Sequence, residues 1–295
     1  MIVRMVTAAI VATAVAGGAK LRAQDPGFRT AVEVVKAIVT VTDRGGRFVT
    51  GLTKEDFTVF EDGQARDVVR VTAQSEPVSV GILLDTSGSM TADKVRLART
   101  SIMRLVVEGL RASDEWFLAR FGFSLAVVMN WTDERDAVVQ PLREVTHTTG
   151  DTALYDAVVL AIPLAESGKF EKKSLLIVSD GGETKSLLTL DMVMKAIGED
   201  DVRVYAIGVG GSDGRRGDRP EMKTLRRLAD ETGGRAETVS DNESAQLAAD
   251  RIADELRNQY SVAFATNVPK DGRAHSIRVG VRRRGATAKA RKRFE

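Results

Sequence analysis

The sequence predicts an α/β fold: a doubly wound, mostly parallel sheet inserted in a small β-sandwich-like domain made of both termini. Three observations carry this reading. Across residues 76–257, apolar runs of strand length alternate with stretches of helical periodicity, as in a parallel sheet covered on both faces. Before them, residues 31–74 alternate apolar and polar side chains with a period of two. After them, residues 258–295 return to the same period.

In the first zone Val35, Ala37, Val39 and Val41 mark one face of a strand, and Asp43-Arg44-Gly45-Gly46 reads as a turn. Phe57 and Val59 mark a second strand, followed by the turn Glu61-Asp62-Gly63-Gln64. The central zone offers five apolar runs as buried strands: Val78–Leu84, Trp116–Phe123, Leu125–Met129, Ser174–Ser179 and Val202–Val209. Helical faces lie between them. Val95, Ala98, Ile102 and Leu105 form one, and Leu154, Ala157, Val158 and Ile162 another. Leu225, Leu228 and Ala229 form a third, closed by Gly233-Gly234, and Ala245, Ala248, Ile252 and Leu256 a fourth. Pro163 conflicts with the second face, and a kink or early stop is expected there. In the last zone Tyr260, Val262 and Phe264 alternate, as do Ile277, Val279 and Val281, with a turn at Pro269-Lys270-Asp271-Gly272. The fourth helix runs almost directly into Tyr260. The two β zones are therefore expected to pair, with residues 76–257 inserted between them.

Composition narrows the chemistry. The 295 residues include no cysteine, which excludes disulfides, thiolate catalysis and cysteine-ligated metals. Two histidines, His147 and His275, cannot make a three-histidine site. Aromatic residues are 5%, too few for a stacking platform on nucleic acid, so no nucleic-acid partner is expected. No apolar stretch approaches ~20 residues, so no transmembrane span is expected. Residues 1–23 read as a signal peptide: Arg4 precedes an Ala- and Val-rich run, and small residues surround a cleavage point near Ala19 or Ala23. The expected location is periplasmic or extracellular. From Lys270 to Glu295 ten Lys/Arg face two Asp/Glu, a net of +8 against +2 for the whole chain. This basic end is either the solvated face of a strand or a patch for an anionic surface.

In open parallel sheets, ligands bind beyond the carboxyl ends of the strands. The first apolar run ends in Asp85-Thr86-Ser87-Gly88-Ser89, and the fourth in Ser179-Asp180-Gly181-Gly182-Glu183. A third loop, Thr149-Gly150-Asp151-Thr152, leads into a helix. Asp85, Ser87, Ser89, Thr152 and Asp180 thus offer two carboxylates and three hydroxyls. All are hard oxygen donors, suited to Mg²⁺, Ca²⁺ or Mn²⁺. Taken alone, the pentapeptide is also an ordinary strand-to-helix turn with a serine cap.

These motifs, in this order, resemble the von Willebrand factor type A (VWA) domain with its metal-ion-dependent adhesion site. The likeness covers roughly residues 76–257 and implies a Rossmann-like fold. The flanks, VTVTDRGGRFVTGLTKEDFTVFEDGQ and ELRNQYSVAF, are similar to a bacterial VWFA-related family common in Acidobacteria. The resemblance implies a divalent cation, Mg²⁺ before Ca²⁺ or Mn²⁺. It further implies direct contact by Ser87, Ser89 and Thr152, and contact partly through water by Asp85 and Asp180. One open position is filled in the family by an Asp or Glu carboxylate of a partner protein. The function expected is non-enzymatic: protein–protein interaction or adhesion through the ion.

This sequence departs from the family pattern at Asp151, where glycine is common. Asp151 either strengthens the cation and repels an acidic ligand, or points into solvent. Two rival functions remain open at this level. In one, the ion only orders the loops of a structural scaffold. In the other, it activates water in a metal-dependent hydrolase, although no phosphate loop and no nucleophile elbow is present. Gly208-Val209-Gly210-Gly211 lacks the third glycine of a dinucleotide loop, and Arg216-Gly217-Asp218 is read as chance.

Overall fold

The computed structural model describes residues 33–74, 76–145, 150–210, 221–268 and 273–294. The signal-peptide reading, His147, the turn at residues 269–272 and the Arg216-Gly217-Asp218 tripeptide lie outside them.

The leading β zone holds β1 (Glu33–Asp43), β2 (Phe57–Glu61), β3 (Gln64–Arg66) and β4 (Val68–Gln74). The α/β zone runs β5 (Val78–Asp85), α1 (Ala92–Met103), β6 (Glu115–Phe121), β7 (Leu125–Thr132), α2 (Val139–Glu144), α3 (Leu154–Glu166), β8 (Lys172–Ser179), α4 (Leu190–Glu199), β9 (Arg203–Val209), α5 (Met222–Thr232), β10 (Ala236–Val239) and α6 (Asn242–Arg257). The closing β zone holds β11 (Gln259–Thr266), β12 (His275–Val281), β13 (Ala286–Lys289) and β14 (Arg293–Phe294).

The central sheet has the order β10-β9-β8-β5-β6-β7. Five of its strands are parallel, and β7 runs antiparallel to β6 at the edge. Every residue of β5 and of β9 is buried, because helices cover both faces and leave no solvent side for a polar alternation. One apolar layer gathers Ile82, Leu84 and Leu118 with Ile102 of α1 and Ile252 of α6. The other gathers Leu83, Phe117 and Ile177 with Val158 of α3 and Leu225 of α5. All four expected helical faces are therefore core faces.

Two expectations are corrected. The run Leu125–Met129 is not a buried strand: β7 is a half-exposed, antiparallel edge strand whose side chains pack only partly buried, Val128 and Met129 on one apolar layer and Leu125 and Trp131 on the other. At Pro163 there is no early break. Helix α3 continues through it to Glu166, so of the kink and the early stop expected there the stop does not occur.

The β zones pair as expected. β1 lies antiparallel to β11, with Val39 opposite Tyr260, and β4 lies on the other side of β11. The resulting sheet β13-β1-β11-β4 faces a second sheet, β14-β12-β2-β3. Val39, Val41, Phe57, Val262, Phe264 and Val279 meet between them, which makes a sandwich of strands from both ends of the chain. At the β2–β3 turn Asp62 and Gly63 both have positive φ (47° and 79°), the backbone a two-residue hairpin requires. Among the described residues, four of the ten basic residues of this end form ion pairs within the molecule. Lys289 pairs with Asp230 at 2.8 Å, Lys292 and Arg293 with Glu231 at 3.6 and 3.2 Å, and Arg291 with Asp201.

Candidate functional site

Strands β5 and β8 are parallel neighbours, with Leu84 opposite Val178. Their carboxyl ends therefore emerge side by side and bring Asp85 next to Ser179 and Asp180. The Asp85 carboxylate is wholly buried. Its Oδ1 accepts from the Ser87 amide at 2.8 Å, and its Oδ2 accepts from the Ser179 hydroxyl at 2.6 Å. Burial pushes the Asp85 carboxyl up to about 6, against the lowering effect of these bonds, and the Asp180 charge adds a further push.

The turn after β5 folds back so that the Ser87 and Ser89 hydroxyls lie 3.2 Å apart. Ser87 is buried, whereas Ser89 reaches the surface. The third loop joins this turn directly: the Gly88 amide donates to the Gly150 carbonyl at 3.0 Å. Thr152 is buried at the mouth of α3. Its amide donates to Thr184 Oγ1 at 2.9 Å, and its carbonyl accepts from the Thr184 and Lys185 amides. Glu183 strengthens this tie by accepting from the Tyr155 amide at 3.1 Å, and Asp156 accepts from the Leu187 and Leu188 amides at 2.9 Å. The loop after Asp180 is thus sewn to the start of α3, which holds Thr152 at the same edge as Asp180.

Beside them lies a small cradle floored by glycine. A Cβ added to Gly182 would sit 3.3 Å from Asp180 Oδ1 and 3.8 Å from Ser89 Oγ, so these two oxygens flank the same space. Gly181 has φ +83°, and a Cβ there would sit 2.5 Å from the Glu221 carbonyl. Only glycine allows the chain to turn here. The oxygen set is hard, mixed neutral and anionic, and close together, and it fits a divalent cation of the Mg²⁺ or Ca²⁺ type. Among the described residues no group of three or more His, Asp or Glu gathers around a metal-sized point, so any ion here depends on the hydroxyls.

A match to the family model of the von Willebrand factor type A domain spans residues 79–251, more than half of the chain. The chain belongs to this family. The VWA fold is shared with solved structures of low identity. An aerotolerance-related membrane protein from Bacteroides fragilis is 20% identical, with a TM-score of 0.50 over 60% of this chain and 99% of that one. BatB from Bacteroides thetaiotaomicron is 19% identical, with a TM-score of 0.51 over 61% and 100%. A von Willebrand factor type A protein from Catenulispora acidiphila is 13% identical, with a TM-score of 0.52 over 89% and 74%. A search of curated proteins gives no match. VWA domains are generally interaction modules and commonly hold a divalent metal. No described helix is long and apolar enough to cross a membrane.

Two residues of this VWA edge escape a reading of motifs. Lys94, in the first turns of α1, is almost fully buried. Its Nζ donates to Asp180 Oδ2 at 2.8 Å and to the Ser89 carbonyl at 3.1 Å. Its spacing was the available signal, since Lys94 shares a helical face with Leu97, Ala98 and Ser101, all buried. Glu183 is the other, and its role as a loop tie leaves no spacing signature. Asp151 faces outward: half exposed, it lies 4.0 Å from Lys185 Nζ. Of the two histidines, His275 lies in the β zone against Asp62 at 2.7 Å, away from this edge.

Proposed function

We propose that this chain is an exported, non-enzymatic protein-binding module that contacts its partner through a divalent cation. Mg²⁺ is the first choice, with Ca²⁺ or Mn²⁺ as alternatives. Asp85, Ser87, Ser89, Thr152 and Asp180 would hold the ion, which when bound supplies an open coordination position for an Asp or Glu carboxylate of the partner. The observation that carries this reading is that Ser89 Oγ and Asp180 Oδ1 border the space beside Gly182, with the Ser87 hydroxyl 3.2 Å from that of Ser89.

The chain's own charges favour an acidic visitor. Asp85 and Asp180 carry two negative charges, and buried Lys94 returns one positive charge at hydrogen-bond distance. With a doubly charged ion the local sum becomes +1. The amino end of α1, capped by Thr91, adds a partial positive charge from the same side. The edge also carries large apolar side chains in the open. Phe123, just beyond β6, is 73% exposed, and Leu187, in the loop after Asp180, is 92% exposed. Apolar side chains left in water around a polar centre support a protein partner over a small ion or metabolite alone. Export rests on the sequence of residues 1–23.

The test is capture of partners from the cell-envelope fraction by the mature chain, with Mg²⁺ or with chelator, using wild type and the Ser87→Ala/Ser89→Ala double variant. The expected result is capture by wild type with Mg²⁺ and loss in the other three arms. Capture that survives chelation, with the fold intact by circular dichroism, would instead assign the ion to ordering the loops.

A further inference from the structure

At the opposite edge of the central sheet, where β8 and β9 begin, two buried cations face a cavity of about 90 Å³. They are Lys172, 4% exposed, and Arg203, 6% exposed, and both line this space. Among the described residues neither forms an ion pair. Lys172 Nζ donates to the Leu256 carbonyl at 2.7 Å. Arg203 donates to the Thr40 hydroxyl at 3.1 Å and to the Ile38 carbonyl. A third cation, Arg291, lines the same cavity. It pairs with exposed Asp201 and donates to the Gly198 and Asp200 carbonyls, while its buried Nε has no partner.

Burying an ion without a counter-ion is costly, and neutral acceptors do not cancel the charge. The buried carboxylate of α6 does not supply the balance. Glu255 is ion-paired to Arg235 at 2.7 Å and reaches Arg203 only through the shared Thr40 hydroxyl. At the rim Lys36 and Glu171 satisfy each other. With that pair set aside, four cations among the described residues, Lys172, Lys173, Arg203 and Arg291, line a half-open cavity with one carboxylate, Asp201. Burial, with the Arg203 charge next, pushes the Lys172 ammonium down to about 8, against the raising effect of the Asp114 and Glu76 charges.

We infer that the cavity lined by Lys172, Arg203, Arg291 and Ser174 binds a small oxyanion of the phosphate class. Charge selects an anion, and the guanidinium groups favour oxygens that accept forked hydrogen bonds. The volume suits a single tetrahedral group. Arg203 joins the central sheet to β1, and Arg291 belongs to the segment between β13 and β14. A bound oxyanion would thus pin the β-sandwich to the α/β zone. This site is separate from the carboxyl-end edge and does not depend on the function proposed there.

The experiment is titration of the metal-free mature chain with inorganic phosphate, followed by calorimetry and by ³¹P resonance shift. Sulfate and glycerol phosphate form parallel arms, with chloride at matched ionic strength as the control. The expected result is saturable one-to-one uptake of phosphate, competition by sulfate, and a thermal midpoint that rises with phosphate but not with chloride. Glycerol phosphate should bind at least about tenfold more weakly, since the cavity does not admit the substituent; equal binding would instead assign the site to phosphate esters. Arg203→Met should weaken phosphate at least about tenfold. Ser174→Asp places a fixed carboxylate in the cavity. It should raise the thermal midpoint in phosphate-free buffer and abolish the response to phosphate. No saturable uptake of phosphate or sulfate by wild type overturns the inference whatever the variants do. So does uptake that Arg203→Met and Ser174→Asp leave unchanged.

Discussion

Lys94 Nζ lies 2.8 Å from Asp180 Oδ2, and both side chains are almost wholly buried. A lysine thus occupies one oxygen of a carboxylate proposed as a metal ligand. Lys94→Met removes the internal cation and leaves Asp180 uncompensated. In metal-free protein it should cost about 3 kcal/mol of stability. Divalent-ion affinity should rise on the order of tenfold, because a positive charge a few ångströms away no longer opposes the ion. Chemical denaturation and calorimetry with Mg²⁺ read the two effects. An affinity equal to wild type would mean that Lys94 and the ion do not feel each other.

Gly182 offers a test of position rather than of charge. Its φ is not in the left-handed region, so a side chain is sterically allowed by the backbone. Its Cβ would point at Asp180 Oδ1 and Ser89 Oγ. Gly182→Val should fill the cradle and weaken divalent-ion binding at least about tenfold, with a stability change under about 1 kcal/mol. Gly181→Ala, by contrast, meets the Glu221 carbonyl and a positive φ and should destabilise the fold by about 2 kcal/mol or more. Ion binding by Gly182→Val equal to wild type would place the ion elsewhere.

Phe123 and Leu187 separate ion from partner. Phe123→Ser and Leu187→Ser should leave metal affinity and stability near wild type, since both side chains are exposed. Partner capture should fall several-fold in each variant. Undiminished capture in the double variant would limit the contact to the ion and its immediate ligands.

Asp200 gives a pH signature. Burial, then its hydrogen bond and charge interaction with Glu166, push the Asp200 carboxyl up to about 7. A carboxyl raised in the fold favours the folded state while protonated. That contribution is full below the unfolded value of 3.8 and is lost as pH rises through about 7. Asp200→Asn stays neutral throughout. The variant should therefore gain on wild type between about pH 5 and about pH 8, by an amount kept small because Asp200 is only part-buried. Denaturation midpoints of the two proteins at both pH values measure this. A constant difference would show that Asp200 and Glu166 do not share a proton.

The strand ends that carry Asp85 and Asp180 were legible because β5 and β8 sit in the middle of a two-sided sheet. Their sequences are unbroken apolar runs that stop where the chain leaves the core. β7 differs because a short apolar run is equally compatible with an edge strand that is only half buried. The pairing of the β zones followed from periodicity and from the short link between α6 and β11. Lys94 was missed because a charge on a helix is ordinarily assigned to solvent, and its buried partner lies 86 residues away. The same reasoning hid the destination of the basic end. Lys289, Lys292 and Arg293 find Asp230 and Glu231 on α5, which no local pattern connects to them.

The α/β zone is entered from β4 and left into β11, and these two strands are hydrogen-bonded neighbours in one sheet. Only a few residues separate Gln74 from Val78, and Arg257 is almost adjacent to Gln259. The body is therefore mounted on a double stem instead of a single swivel. β5 alone, at eight residues, carries the chain ~27 Å from that stem to the opposite rim. Tension applied at the rim would travel down the axis of the central strands into two stems that shear together. Such a mounting resists reorientation of the α/β zone relative to the sandwich.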